Sequence, residues 1–468
     1  MQKPPVAAST LLGNFLRLGC VTALLLTLGA CGLTEGGTGS GINSGSSSSP
    51  DNGGNGLGSG NGTSGGESDS DDSDAGSNPP ALKFFAATDG VSGIELWKTD
   101  GTTSGTVLVK DINPAAGADS NPAHFIEFNG AVYFNATDGV HGEELWKTDG
   151  TADGTVLVKD INSDGGERSN PFEFIEFNGA LYFGADDAVH GRELWKTDGT
   201  ADGTVLVKDI TAGPGMGSYP YAPYGFTVFN GAIYFAADST NPELWKSDGT
   251  AAGTVLVKNI NEFGGSFPHD FIVYNDALYF QATVFGQYAT GFELWKTDGS
   301  TAGTMLVKDI NPGYGAGSGP SEFILLNGAL YFTAHDGVHG YELWKTDGTD
   351  AGTVLVTDIN PIAGTGSLPD AFTLLNGALY FHADDGIHGR ALWKTDGTGD
   401  GTVRVANYSP SALTAFNGAL YFRTDDGVHG AELWKSDGTE TGTRLVKDIN
   451  TAPGAGSTPT AFTILNGV

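Results

Sequence analysis

Cysteine is nearly absent from this 468-residue chain: Cys20 and Cys31 are the only two, and both lie near the start. No disulfide can therefore hold the remaining residues together, and the fold has to rest on packing alone. Basic residues are scarce as well, with 23 Lys and Arg against 55 Asp and Glu and a formal net charge of −32. That balance disfavours nucleic acid and anionic lipid faces as partners, leaving cations, neutral glycans and basic protein patches. Long apolar runs are also missing. The run from Leu18 to Ala30 falls short of the roughly 20 residues a helix needs to cross a bilayer.

That short run has another use. Lys3 and Arg17 are the only charges before Glu35, so residues 1–30 read as an export signal with a basic start and an apolar middle. It ends in Leu28-Gly29-Ala30-Cys31, which resembles the lipobox of bacterial lipoproteins. The resemblance implies cleavage before Cys31 and lipid attachment to it. Gly32 and Leu33 lack the aspartate that retains enteric lipoproteins in the inner membrane, so the outer membrane or cell surface is the expected location. Residues 31–80 read as a disordered tether of Gly, Ser, Asn and Asp that carries seven acids and no base. Such a composition cannot bury enough apolar surface to order itself.

What the chain has in abundance is repetition. All eight tryptophans (Trp97, Trp146, Trp195, Trp245, Trp295, Trp344, Trp393 and Trp434) sit in the phrase ELWKTDGT or a near variant. Successive spacings are 49 or 50 residues, except the last, which is 41. A period of that size marks stacked supersecondary units. Each unit holds four short β-branched and aromatic runs bounded by turn signals: a Phe-rich run, an LYF run, the ELWKT run and a VLVKD run. Asn-Gly between the first two is a strong hairpin signal, because both central positions need positive φ. In Leu181-Tyr182-Phe183 and Val156-Leu157-Val158 apolar groups point to both faces, so both faces must be covered.

Residues 81–468 are therefore expected to be an all-β, eight-bladed β-propeller of four-stranded antiparallel blades. The chain enters at Leu82-Lys83-Phe84-Phe85, an LYF-type strand, and leaves with Ala461-Phe462-Thr463-Ile464-Leu465-Asn466, a Phe-rich one. The last strand is expected to complete the first blade, closing the ring and removing an exposed edge. A truncated longer array is the alternative. The phrase ELWKTDGT, returning eight times across residues 82–468, also resembles the family of secreted bacterial proteins with ELWxxDGT repeats. Ser247, Ser436, Ser300 and Ala391 depart from the phrase. The resemblance implies a propeller-like, surface-associated protein and no defined activity.

No catalytic constellation stands out, and an enzyme is not expected. Asp149 and its copies in the DGT turns read as turn caps. Asp160-Ile161-Asn162-Ser163-Asp164-Gly165 begins like an EF-hand loop, but Pro171 stands where the bidentate Glu should be. No cofactor or metal is expected beyond weak calcium binding at single loops. His141, His190, His339, His388 and His429 each come from a different unit and read as structural or surface groups. Binding is sought instead where the repeat breaks. Tyr219, Tyr221 and Tyr224 lie in one long connector, Thr211 to Gly225, Phe263 and Phe267 sit on the next, and Phe285, Tyr288 and Phe292 replace a DGVHG loop. All fall on one expected face of units 3 to 5, a candidate aromatic patch for a glycan or peptide. The expected function is a lipid-anchored surface binding or scaffold module, a monomer with a glycan or envelope-protein ligand. A purely structural envelope component and a polysaccharide-active enzyme are the alternatives.

Overall fold

The computed structural model describes residues 82–448, apart from 101–103, 165, 212–222, 239, 286–289 and 314, together with 454, 456 and 457. These residues form eight consecutive antiparallel sheets and, among them, no helix. Sheet 1 has three strands, Lys83–Thr88, Ile94–Thr99 and Val107–Lys110. Sheets 2 to 8 each have four, paired in chain order. In sheet 2 these are Ala123–Phe128, Ala131–Thr137, Glu143–Thr148 and Val156–Lys159. The expected four-strand unit is present, and among the described residues sheet 1 has no Phe-rich strand.

Local chemistry sets each turn. Asn129 and Gly130 join the first two strands at φ of 49° and 75°, the conformation a two-residue hairpin requires. In sheet 5 the same turn is Asn275-Asp276, with Asp276 at φ 57° in place of the usual glycine.

Residues of the second strand alternate between two neighbouring sheets. Phe134 packs back against Leu96 and Ile112 of sheet 1, while Tyr133 packs forward with Leu181 and Phe183 of sheet 3. This is why the strands carry apolar groups on both faces. Seven such core clusters join sheets 1–2, 2–3 and so on through 7–8. Trp146, Trp195, Trp295, Trp344 and Trp434 are buried within them, as core rather than as a sugar-stacking set. Consecutive sheets approach most closely at their first strands, so the stack fans outward from that edge.

The two end sheets differ from the rest. Phe85 and Trp97 of sheet 1 are only half-buried, as are Tyr421 and Leu433 of sheet 8, whereas Tyr133 and Leu145 in sheet 2 are fully packed. No core cluster joins sheets 1 and 8 among the described residues, and Ala461–Asn466 lie outside them.

Candidate ligand-binding face

The repeated phrase works almost entirely toward assembly. Lys147 donates from Nζ to Gly199 O in the DGT turn of the next sheet, at 2.8 Å. The same bond joins every consecutive pair from Lys98–Gly150 to Lys394–Gly438. A Cβ built on Gly199, at φ 96°, would lie 2.2 Å from the Tyr133 hydroxyl, so only glycine fits there. Within the turn, Asp149 Oδ1 accepts bonds from Thr151 N at 2.8 Å and Thr151 Oγ1 at 2.7 Å. The recurrent aspartate is a turn cap, as expected.

The glutamate of the phrase organises the connector between sheets. Glu144 is fully buried and accepts bonds from Ile161 N (2.8 Å), Ser169 N (3.0 Å) and Ser169 Oγ (2.5 Å). Burial pushes its carboxyl up to about 7, against the pull of those bonds. Glu193 and Glu293 are likewise raised to about 7 by burial, and Glu95, Glu243 and Glu342 are raised for the same reason. Sheet 7 alone carries Ala391 at this place. There the connector shrinks from the Asp160–Pro171 form to Asn407–Pro410, and Tyr408 stands two residues before the proline, where the serine that meets the glutamate stands elsewhere. An unpaired buried carboxyl would be costly, so the two departures belong together. Tyr408 fills the space, its ring 4.5 Å from Trp434.

The DGVHG loops lie at the same end as the connectors, because the second strand ends and the third begins there. In each, Asp138 or its copy caps the loop: Oδ1 accepts Val140 N and His141 N, and Oδ2 meets His141 Nδ1 at 2.7 Å. The pair recurs at Asp187–His190, Asp336–His339, Asp385–His388 and Asp426–His429. The hydrogen bond to Asp138 raises the His141 pKa. These histidines are local pins, each with its own acid.

The remaining positions at this end vary. Every first strand of sheets 2 to 8 has a bulge near its start, and its second residue takes positive φ: His124, Glu173, Gly225, Asp270, Glu322, Ala371 and Ala412. Just before the bulge, the first residue pairs with the residue that follows LYF in the second strand. The pairs are Ala123–Asn135, Phe172–Gly184, Tyr224–Ala236, His269–Gln281, Ser321–Thr333, Asp370–His382 and Ser411–Arg423. None repeats, although on the second strand the residues on either side barely change.

Their chemistry is equally varied. Asn135 Nδ2 donates to Glu143 Oε1 at 2.5 Å, and the Arg192 guanidinium lies 4.7 Å over the Phe172 ring. His269 meets Phe292 edge-on with centroids 5.3 Å apart, and Arg423 Nε donates to Ser411 Oγ. Asp370 Oδ1 faces both His382 Nδ1 at 3.0 Å and Arg390 Nη2 at 2.6 Å. Glu173 accepts the N–H of Gly225 on the next first strand. His124 and Glu322 are solvent-exposed, yet burial pushes the first down and the second up.

The aromatic positions expected to bind divide into three groups. Tyr224 and Phe292 belong to the converging end, half-buried, and burial followed by the charges of Glu173 and Glu243 raises the Tyr224 hydroxyl. Phe263 and Phe285 stand farther out and exposed, brought together because Asn261 Oδ1 accepts the backbone N–H of both. A polar cleft of about 180 Å³, lined by Asp238, Glu243, Asn261 and Glu262, opens beside them. Phe267 is half-buried, with its N–H on Pro242 O, and Tyr219, Tyr221, Tyr288 and Cys31 lie outside the described residues. The sequence reading passed over the residue after LYF, although its eight identities can be aligned by eye.

Among the described residues no group of three His, Cys, Asp or Glu is placed to hold a metal ion, and no helix is long and apolar enough to cross a membrane. Neither a protein-family profile nor a curated protein sequence matches the chain. Among solved structures, the computationally designed Ika8 protein is similar at 12% identity and a TM-score of 0.39, over 72% of this chain and 89% of that one. Puromycin hydrolase follows at 12% identity and 0.37, over 71% of this chain and 54% of the other. Prolyl oligopeptidase B from Galerina marginata, bound to a 35mer hydrolysis and macrocyclization substrate, aligns at 11% and 0.40, over 70% and 50%. The chain spans about half the length of these two hydrolases. Likeness at this level carries no weight for activity.

Proposed function

We propose that the chain is a lipid-anchored binding module of the bacterial cell envelope, an eight-bladed propeller that takes a glycan or envelope-protein ligand at the converging connector end. One observation carries the reading: seven strand pairs at that end differ from one another while the frame around them repeats. Packing alone would fill equivalent places with equivalent residues, as it does one position away on the second strand. The exposed Phe263 and Phe285 extend the face outward, and aromatic rings beside polar groups suit sugar or peptide recognition. The half-covered faces of sheets 1 and 8 support closure by Ala461–Asn466, and the lipobox-like Leu28–Cys31 with its acidic tether supports anchoring.

A screen of the chain against glycan and envelope-protein arrays tests the reading. Binding lost in Tyr224→Ala and Phe292→Ala, with melting unchanged, is the expected result; binding indifferent to both contradicts it. A second reading, an enzyme, would rest on the Asp370–His382 pair, where a carboxylate orients a buried imidazole. Loss of a hydrolytic activity in His382→Ala would favour it.

A further inference from the structure

The loop histidines have a fixed place, and sheet 4 has no histidine to put there. In five other sheets the histidine three residues after the loop aspartate brings Nδ1 to 2.6 or 2.7 Å from Oδ2 of that aspartate. In sheet 1 the same position is Ser92, whose Oγ meets Asp89 Oδ2 at 3.4 Å. In sheet 4 it is Asn241. The cap itself is unchanged. Asp238 Oδ1 accepts the backbone N–H groups of Thr240 and Asn241, as Asp138 Oδ1 accepts those of Val140 and His141. Asp238 Oδ2, by contrast, has no hydrogen-bond partner among the described residues.

The polar cleft of about 180 Å³ lies at this position, lined by Asp238 and Asn241 together with Trp245, Leu256 and Asn259. Sheet 7 shows that the acid–imidazole pair sits against the same positions. Arg404 pairs with Trp393 as Leu256 pairs with Trp245, and its Nη1 comes within 3.8 Å of Asp385 Oδ2. The cleft is therefore where the other sheets keep their ring, and it has room for more than a single water. Its buried acid is already occupied: Glu243 accepts bonds from Ile260 N, Asn261 N and Ser266 Oγ. Asp238 is left to orient a guest. At the rim, a Cβ built on Gly264 would lie 4.0 Å from the Phe285 ring, so the exposed Phe263 and Phe285 border the opening.

We infer that this cleft takes an imidazole ring from outside, the histidine side chain of a protein ligand, in the place that the chain's own histidine fills in five other sheets. Neutral or protonated, the ring can turn an N–H to the open carboxylate oxygen of Asp238. The two phenylalanines suit apolar residues flanking that histidine. The inference rests on the binding reading above and narrows its protein ligand to one side-chain chemistry.

The indole N–H resonances of the full-length chain, read by NMR, test it with three probes: the N-acetyl methylamides of histidine, phenylalanine and lysine. The resonance that disappears in Trp245→Phe should shift with the histidine probe and saturate with a Kd below ~30 mM. The phenylalanine and lysine probes should bind about tenfold more weakly or worse, the first for want of a ring N–H and the second for want of a ring. Asn241→His supplies the ring from within, so it should abolish binding and leave melting unchanged or higher. If that variant melts early, Asp238→Asn takes its place: it keeps the cap acceptor and should weaken the histidine probe about tenfold. No saturable shift, equal binding of the three probes, or binding indifferent to both variants would each overturn the inference. An array ligand that is lost in Phe292→Ala and ignores Asn241→His would leave the broader reading standing and remove only this subsite.

Discussion

Two sets of positions in each unit lie only a few residues apart and behave in opposite ways. In Leu-Trp-Lys-Thr-Asp-Gly-Thr, every side chain is committed to its own sheet or the next one: Leu145 to the core, Lys147 to Gly199 O, Asp149 to its turn. The residue after LYF and its partner at the start of the first strand have no such fixed assignment. They read Asn, Gly, Ala, Gln, Thr, His and Arg across sheets 2 to 8. The comparison separates what the stack needs from what it is free to vary, and puts the candidate site in the second set.

The largest effect expected on breaking the first set is at the inter-sheet turn. Gly199→Val should cost roughly 3 kcal/mol or more, from positive φ and collision with Tyr133 together, and chemical denaturation would show it. Next comes Ala391→Glu, which would place a carboxyl where Tyr408 stands in the place of the serine that meets it elsewhere. A loss of about 2 kcal/mol is expected, and Glu144→Gln in sheet 2 should cost less, about 1 kcal/mol, because the amide keeps most of the packing. A similar cost for both would break the link between glutamate and connector.

The pH dependence follows from the same glutamates. Their folded-state pKa of about 7 at Glu144, Glu193 and Glu293 lies above the unfolded value near 4.5. Their contribution is therefore complete below about pH 4.5 and lost as pH rises through 7. The loop histidines act in the same sense, since their acid partners raise them. Melting temperature should fall from pH 5 to pH 8, and a rise over that range would contradict the assignment. The smallest stability effect belongs to the second set. Gln281→Ala and Thr333→Ala should each change stability by about 1 kcal/mol or less, measured by the same denaturation.

Much of the fold was legible in the sequence, because period, turn residues and two-sided apolar strands all point the same way. Four strands per unit, the entry of the chain at the second strand of sheet 1 and the Asn-Gly hairpins were each readable from residue identity. The bulge at the start of each first strand was not. Glu173, Asp270 and Ala371 occupy positive φ without being glycine, so nothing in their identity marks the conformation. His382 was missed for a different reason: in the run ALYFHAD it reads as one more strand residue until Asp370 and Arg390 are placed beside it. Ala391 and the short spacing before Trp434 were both visible, but only the Glu144–Ser169 bonds explain why they occur together.

The central claim is that the repeated frame carries the fold and the varied end carries binding. Replacing Asn135, Gln281, Thr333, His382 and Arg423 together by alanine tests it most directly, with thermal melting and array binding read on the same sample. The account predicts a protein that still melts cooperatively as a folded stack and has lost its ligand. A variant that keeps its ligand unchanged, or one that fails to fold at all, would contradict it.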